Sequence, residues 1–148
     1  MTSIVAPVSG TCIPVQQVKD PAFAGEMLGK GVAIQPAEGR LYAPADCEVS
    51  AVADTKHALG LILQNGAELL IHVGIDTMRL NGKYFKPQVQ KGQMVKQGDL
   101  LLKFDLKKIE KQGYDTVVPV VVTNYDEFGA LQCSTGEVAT GDEIITID

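Results

Sequence analysis

The two histidines of the chain, His57 and His72, lie on either side of the dipeptide Asn65-Gly66. Asn-Gly between two apolar runs is a strong signal for a β-hairpin, because both central residues of a type I′ turn need positive φ. A two-residue turn at this dipeptide pairs Leu59 with His72 and puts His57 diagonally opposite His72. Because side chains alternate between the faces of a strand, we expect both imidazoles to project from one face and approach one point.

The same register predicts an apolar surface around the two imidazoles, formed by Leu59, Leu61, Leu63 and Leu70. The residues that face the other side of the hairpin are then assigned to the core: Ile62, Leu69, Ile71 and Val73. A cluster of leucines around two imidazoles indicates a surface on which a partner docks.

Two converging imidazoles allow two kinds of chemistry, besides the simplest interpretation that each is an ordinary, partly buried histidine. They could bind zinc, although two ligands are too few for the usual tetrahedral site and no third His or Cys lies at ligand spacing. They could instead form a nucleophile and its helper in phosphoryl transfer. A neutral ring nitrogen attacks phosphorus, and the resulting N–P bond stays reactive enough to pass the group onward.

The elements that must position these histidines are predicted to be short strands. Fifteen glycines and seven prolines interrupt runs rich in Val, Ile and Leu, which is typical of an all-β domain, a sandwich or a barrel. The candidate strands are residues 3–8, 10–15, 31–35, 39–42, 47–52, 59–64, 68–73, 100–105, 117–122 and 143–147. Residues 20–28 and 105–111 are candidates for short peripheral helices, the first starting at an Asp cap followed by proline.

A weak internal repeat supports this interpretation. Gly92-Gln-Met-Val-Lys-Gln-Gly98-Asp99 and Gly136-Glu-Val-Ala-Thr-Gly141-Asp142 each precede a candidate strand. Each segment is expected to be a glycine turn that leads into a strand. The length of 148 residues suits one domain spanning 1–148.

Composition excludes some functions and indicates a compartment. A net charge of −5 with 5% aromatic residues and no Trp lacks the basic, stacking surface that nucleic-acid binding requires. The sequence has no apolar run of about 20 residues and no signal-peptide pattern. Three cysteines without C-x-x-C spacing suit a reducing environment, so we expect a cytoplasmic protein.

The segment Gly66-Ala-Glu-Leu-Leu-Ile-His72-Val-Gly74-Ile-Asp76-Thr77 resembles the phosphorylation-site motif of the glucose-type enzyme IIA of the bacterial sugar phosphotransferase system. Supporting segments run from Val5-Ala-Pro-Val-Ser-Gly10 to Pro119-Val-Val-Val-Thr-Asn124, so the resemblance covers nearly the whole chain. It implies an antiparallel β-sandwich or distorted β-barrel with one or two short peripheral helical turns. Met78 and Tyr84 depart from the family pattern, the latter standing where glycine is common, and both bear on partner fit.

The resemblance also implies roles for the site residues. His72 would accept a phosphoryl group on Nε2 from the carrier HPr and donate it to a cysteine in the IIB domain of a membrane sugar permease. His57 would stabilise the phosphate, and Thr55 would orient the ring of His57. Gly74 belongs to the site motif, and the partner-facing residues would be Asp20, Asp76, Leu59, Leu61, Leu70 and Met78. No cofactor is required, although His57 and His72 could share Zn²⁺ with a partner.

Three other functions are less consistent with the sequence. A lipoyl or biotinyl carrier needs a modifiable lysine at a hairpin tip, where this chain has Asn65-Gly66. A zinc peptidase of the lysostaphin-like kind needs a His-x-His pair and usually three protein ligands. A module that only binds partners would leave the histidines without a chemical role.

Overall fold

The computed structural model of the protein describes residues 2–148 and consists mainly of antiparallel strands. The strands are β1 (Thr2–Val5), β2 (Gly10–Pro14), β3 (Lys30–Pro36), β4 (Arg40–Tyr42), β5 (Cys47–Val52), β6 (Ala58–Leu63), β7 (Glu68–His72), β8 (Phe85–Pro87), β9 (Met94–Val95), β10 (Leu100–Phe104), β11 (Val118–Val122), β12 (Leu131–Cys133), β13 (Gly136–Val138) and β14 (Glu143–Ile147). The helices are α1 (Pro21–Ala24) and α2 (Leu106–Lys111), and 3₁₀ turns lie at Val15–Gln17, Thr77–Leu80 and Tyr125–Glu127. No helix within residues 2–148 is long and apolar enough to cross a membrane.

The strands form three antiparallel sheets. The largest has eight strands in the order β13-β2-β3-β11-β7-β6-β5-β9, and two three-stranded sheets have the orders β1-β14-β12 and β4-β10-β8. Among the described residues each sheet has two free edges, so the architecture is a sandwich rather than a closed barrel. The all-β prediction is therefore confirmed, as are both short helices, each starting after an Asp N-cap, Asp20 and Asp105.

The core lies between the eight-stranded sheet and the two small sheets. It is a single cluster of buried side chains that extends from Ile4 in β1 to Ile147 in β14. A second, smaller cluster covers the opposite face of the large sheet, where Phe23 of α1 packs with residues of β3 and β11. This second face carries His72, because its strand neighbours on both sides belong to the main core.

The internal repeat is also present in the fold. In the first turn the Asp99 carboxylate accepts from the backbone N–H of Lys96 at 2.9 Å. In the second, Asp142 accepts from the N–H of Ala139 at 2.8 Å. The backbones around the two turns form matching bonds, from Gly98 N to Ala43 O and from Gly141 N to Ala6 O. Each turn leads into a strand, β10 or β14, as the sequence predicted.

Candidate functional site

The β6–β7 hairpin has a different register from the one that the sequence suggested. The N–H of Leu63 bonds to the carbonyl of Ala67 at 2.9 Å, so the loop contains three residues, with Gly66 at φ 89°. The side chain of Asn65 accepts from the N–H of Ala67 at 3.0 Å and closes the turn without positive φ at Asn65. Ala58 therefore pairs with His72 and Leu59 with Ile71, and the predicted pairing of Leu59 with His72 is wrong.

This shift by one residue moves the leucines of β6 to the other face of the sheet. Leu59 and Leu61 were expected to dock a partner, but they lie in the core with exposed fractions of 1% and 0%. Their assignment to the partner surface is wrong. Leu63 is likewise buried, and Ile62 is half-buried rather than in the core.

The two imidazoles nevertheless meet, because His57 lies just outside the strand ladder. β6 begins at Ala58, and the backbone before it turns at Lys56, where φ is 64°. The Nε2 atoms of His57 and His72 are 3.1 Å apart, and the rings pack edge to face with centroids 4.5 Å apart. His57 is buried and His72 half-buried. The prediction that the two imidazoles meet is therefore correct, although the strand register from which it was made is wrong.

The hydrogen bonds around the two rings fix where their protons lie. Nδ1 of His72 is 2.5 Å from the carbonyl oxygen of Gly74. Because a carbonyl only accepts, Nδ1 carries the proton and Nε2 of His72 has the free lone pair. Nε2 of His57 must then donate to Nε2 of His72, which leaves Nδ1 of His57 to accept from the Thr55 hydroxyl at 2.6 Å.

The loop after β7 holds the Gly74 carbonyl in place. Gly74 has φ 80°, and a Cβ there would lie 2.5 Å from Cγ2 of Thr77. The N–H of Gly74 bonds to the carbonyl of Val117, and the buried hydroxyl of Thr77 donates to the carbonyl of Val73 at 2.5 Å. The motif positions Gly74 and Thr77 therefore shape the backbone that orients His72.

Burial and charge set the protonation of both histidines. Burial, and secondly the neighbouring His72, lower the pKa of His57 to about 4. Burial also lowers the pKa of His72, while the hydrogen bond to Gly74 and the charges of Asp20 and Asp76 act in the opposite direction. Both rings are thus neutral near pH 7, as a nucleophilic nitrogen requires.

The carboxylates of Asp20 and Asp76, whose charges raise the pKa of His72, lie in separate segments of the chain. Asp20 caps α1, accepting from the N–H of Ala22 at 2.9 Å, and Asp76 is exposed with φ 62°. Of the other partner-surface candidates, Leu70 is half-buried beside the smaller cluster and Met78 is 43% exposed.

Residues 2–128 match the family described as phosphoenolpyruvate-dependent sugar phosphotransferase system, EIIA 1. The chain belongs to this family.

Similar proteins include both short and long members. The chain is 44% identical over 138 residues to the glucose-specific EIIA component of Bacillus cereus, covering 93% of this chain and 84% of that protein. It is 48% identical over 137 residues to the beta-glucoside-specific EIIBCA component of Dickeya chrysanthemi, covering 92% of this chain and 22% of the relative. The chain thus spans less than a quarter of the beta-glucoside relatives that it matches.

A solved structure has the same fold. Glucose permease IIA from Mycoplasma capricolum superposes with a TM-score of 0.89 at 34% identity, covering 97% of this chain and 94% of that one. The resemblance seen in the sequence is therefore confirmed at the level of family and fold.

Two aromatic residues of this EIIA chain contact the imidazoles, and sequence reasoning gave them no role. The ring of Phe23 packs edge-on to His72 with centroids 5.3 Å apart, and Phe85 lies 6.5 Å from His57. Both are buried, so they exclude water from one side of each ring. In the sequence, the one indication that Phe23 and Phe85 matter was that both lie within the part of the chain that resembles the family.

Proposed function

We propose that this EIIA chain is a cytoplasmic phosphoryl carrier that accepts a phosphoryl group from phospho-HPr on His72. It then donates the group to a cysteine in the IIB domain of a membrane sugar permease. One observation supports this most strongly: the carbonyl of Gly74 binds Nδ1 of His72 and so leaves Nε2 as the unprotonated atom. The imidazole of His72 is half-buried and neutral near pH 7, and its Nε2 lies 3.1 Å from Nε2 of a second imidazole.

The proposed step is a direct displacement at phosphorus. The lone pair on Nε2 of His72 forms the new N–P bond while the N–P bond of the donor phosphohistidine breaks and the donor imidazole keeps that electron pair. The proton on Nδ1 of His72 stays in its bond to Gly74. Such transfers depend mainly on in-line positioning and charge stabilisation, and the hydrogen bond to Gly74 supplies the positioning of His72.

His57 would stabilise the phosphorylated state. Its Nε2–H points at the nitrogen that is to be phosphorylated, and after transfer it can donate to a phosphate oxygen instead. The hydroxyl of Thr55 holds the ring from the other side, so the donor direction is set before phosphate arrives. In the unphosphorylated chain a pKa of about 4 keeps His57 neutral, so it meets the incoming phosphoryl group as a neutral donor and not as a cation.

The partner surface is proposed to combine exposed apolar residues with the two carboxylates. Met27 and Leu28, which are 79% and 39% exposed, follow the helix whose Phe23 touches His72. Met78, 43% exposed, lies in the turn after the site loop. Apolar residues ringed by charge are typical of protein docking sites, and Asp20 and Asp76 would meet arginines of HPr.

Intact-mass measurement after mixing the chain with HPr, the upstream kinase of HPr and phosphoenolpyruvate tests the proposal. We expect one acid-labile phosphoryl group on the native chain and none on His72→Ala. His57→Ala, which also removes one imidazole, is the matched control; it should accept the group but pass it on poorly. Undiminished labelling of a folded His72→Ala protein would refute the proposal.

We also propose that the same two nitrogens can hold zinc together with a carboxylate of a partner. Two nitrogens bound to one tetrahedral zinc lie about 3.3 Å apart, close to the 3.1 Å between the Nε2 atoms here. Within residues 2–148 no group of three or more His, Cys, Asp or Glu side chains is arranged to hold a metal, so the partner must complete the site. Calorimetry with zinc and each partner should show binding that His57→Ala removes, and no binding with any partner would refute it.

A further inference from the structure

Three cationic side chains form a row across the small sheet β4-β10-β8. Lys103 of the central strand pairs directly with Arg40 on one side and with Lys86 on the other. Directly opposite residues of antiparallel strands have Cβ atoms about 4.5–5.5 Å apart, and all three side chains are exposed. The outer face of this sheet therefore presents three adjacent positive charges, which we call the cationic row.

The surroundings of the cationic row are also basic. Residues 83–111 contain eight of the thirteen Lys and Arg residues of the chain but only three of its eighteen carboxylates. A shallow groove of about 480 Å³ beside the row is lined by Lys86, Lys103 and Lys107, together with the carboxylates of Glu38 and Asp105. Lys83 and Lys108 lie over the ring of Tyr84, which lines the same groove, so this acidic protein carries a basic surface at the small sheet.

Within residues 2–148 no carboxylate lies within 4.0 Å of a side-chain nitrogen of the cationic row; the nearby carboxylate Asp105 is 3.9 Å from Lys108 instead. Like charges that face each other directly across strands destabilise a sheet. The row consequently costs stability in the free chain, and an external anionic surface would offset that cost.

We propose that the cationic row and its lysine-rich surroundings bind the anionic surface of a lipid bilayer. Clusters of four to eight Lys and Arg residues are typical of surfaces that bind anionic lipids. A protein partner is less consistent with this face, because protein interfaces are depleted in Lys and need apolar anchors at their centre. The large exposed apolar residues Met27, Leu28, Met78 and Met94 lie outside the strands of this small sheet.

Binding through this face would leave the phosphoryl site free. The strand neighbours of Lys103 and those of His72 both belong to the main core cluster, so the two side chains point away from the core on opposite outer faces of the sandwich. Charges farther than about 8–10 Å from the membrane are largely screened at physiological salt. The net negative charge of the whole chain therefore does not prevent the basic face from binding.

Flotation with vesicles of phosphatidylcholine containing about 30% phosphatidylglycerol tests this inference. We expect the native chain to bind these vesicles at low salt and to dissociate from them at 300 mM NaCl. It should not bind vesicles of pure phosphatidylcholine. The triple variant Arg40→Gln/Lys86→Gln/Lys103→Gln should bind about 100-fold more weakly, at about fivefold per charge. Its melting temperature should be no lower than that of the native chain, because like-charge repulsion is removed.

Lys19→Gln/Lys30→Gln/Arg79→Gln is the matched control, since it makes the same change in net charge at exposed positions outside the small sheet and outside residues 83–111. We expect it to bind vesicles nearly as well as the native chain. Equal loss in the control, or native binding to poly-glutamate or duplex DNA but not to vesicles, would overturn the proposal. The inference goes beyond the proposed function and can fail separately from it, because His72→Ala should bind vesicles normally.

Discussion

Substitution of Gly74 tests how closely the site loop controls His72. At φ 80° any side chain costs about 1–2 kcal/mol of backbone strain. A Cβ would also lie 2.5 Å from Cγ2 of Thr77 and 3.0 Å from the carbonyl oxygen of Asp115, which adds about 1–3 kcal/mol of overpacking. We therefore expect Gly74→Ala to lower the free energy of unfolding by about 2–5 kcal/mol.

Gly66→Ala is the matched control for Gly74→Ala. Gly66 has a similar φ of 89°, but nothing lies within 4 Å of the position of its Cβ, so only the backbone strain of about 1–2 kcal/mol applies. Urea unfolding followed by far-ultraviolet circular dichroism suits a chain without Trp. Equal destabilisation by the two substitutions would refute the reasoning from the Thr77 and Asp115 contacts.

The same pair of variants separates stability from function. Relief of the contact at Gly74 must move the carbonyl that orients His72, so phosphoryl acceptance from phospho-HPr should fall tenfold or more, about 1.4 kcal/mol in the barrier. Gly66→Ala should keep the native rate. Adding Thr77→Ser to Gly74→Ala removes Cγ2 but keeps the hydroxyl that binds Val73, and it should recover about 1 kcal/mol of stability. If Gly74→Ala accepted the phosphoryl group at the native rate, the position of the Gly74 carbonyl would not control the reactivity of His72.

Three further predictions concern the imidazoles and their surface. Between about pH 6.5 and 4 the unfolded chain binds a proton that folded His57 does not, so stability should fall on acidification, by on the order of 3 kcal/mol. Urea titrations at pH 7 and 4.5 should show a smaller loss for His57→Gln. Leu61→Asp should unfold the chain, whereas Leu70→Asp should stay folded by circular dichroism and slow transfer about tenfold. Thr55→Val should slow donation to the permease about tenfold, with Thr55→Ser restoring it; native kinetics in Thr55→Val would contradict the orienting role.

Most of the strands that the sequence predicted, such as β6, β7 and β11, contain runs of Val, Ile and Leu. The four that it missed, Phe85–Pro87, Met94–Val95, Leu131–Cys133 and Gly136–Val138, contain only two or three residues. Segments this short show no period-2 pattern, and each forms only because a longer strand offers a free edge. All four are edge strands: β9 and β13 are the two ends of the large sheet, and β8 and β12 are at the ends of the small sheets. Tertiary context, not local sequence, therefore creates them.

The hairpin register illustrates a limit of turn signals. Asn65-Gly66 fits a two-residue type I′ turn and also a three-residue loop in which only the glycine has positive φ. In the structure the Asn65 side chain bonds to the N–H of Ala67 and Asn65 also donates to the hydroxyl of Thr2 at 3.0 Å. The second contact is distant in sequence, so residues of the hairpin alone could not favour the longer loop. The alternation of Leu69, Ile71 and Val73 in the core was correct because β7 did not depend on that choice.

Charge is distributed so that a phosphoryl group on His72 would remain easy to transfer. Phosphorylation adds about −1.5 to −2 charges, whereas the charges that act on His72 in the unphosphorylated chain are the carboxylates of Asp20 and Asp76, and His57 is neutral there. A site with a cation in place of His57 would bind the phosphate by a charge-assisted bond about twice as strong and release it more slowly. The chain instead has its row of Arg40, Lys103 and Lys86 on the opposite outer face. Separation of the basic face from the proposed phosphoryl site would let the same small domain contact an anionic surface without trapping a phosphoryl group on His72.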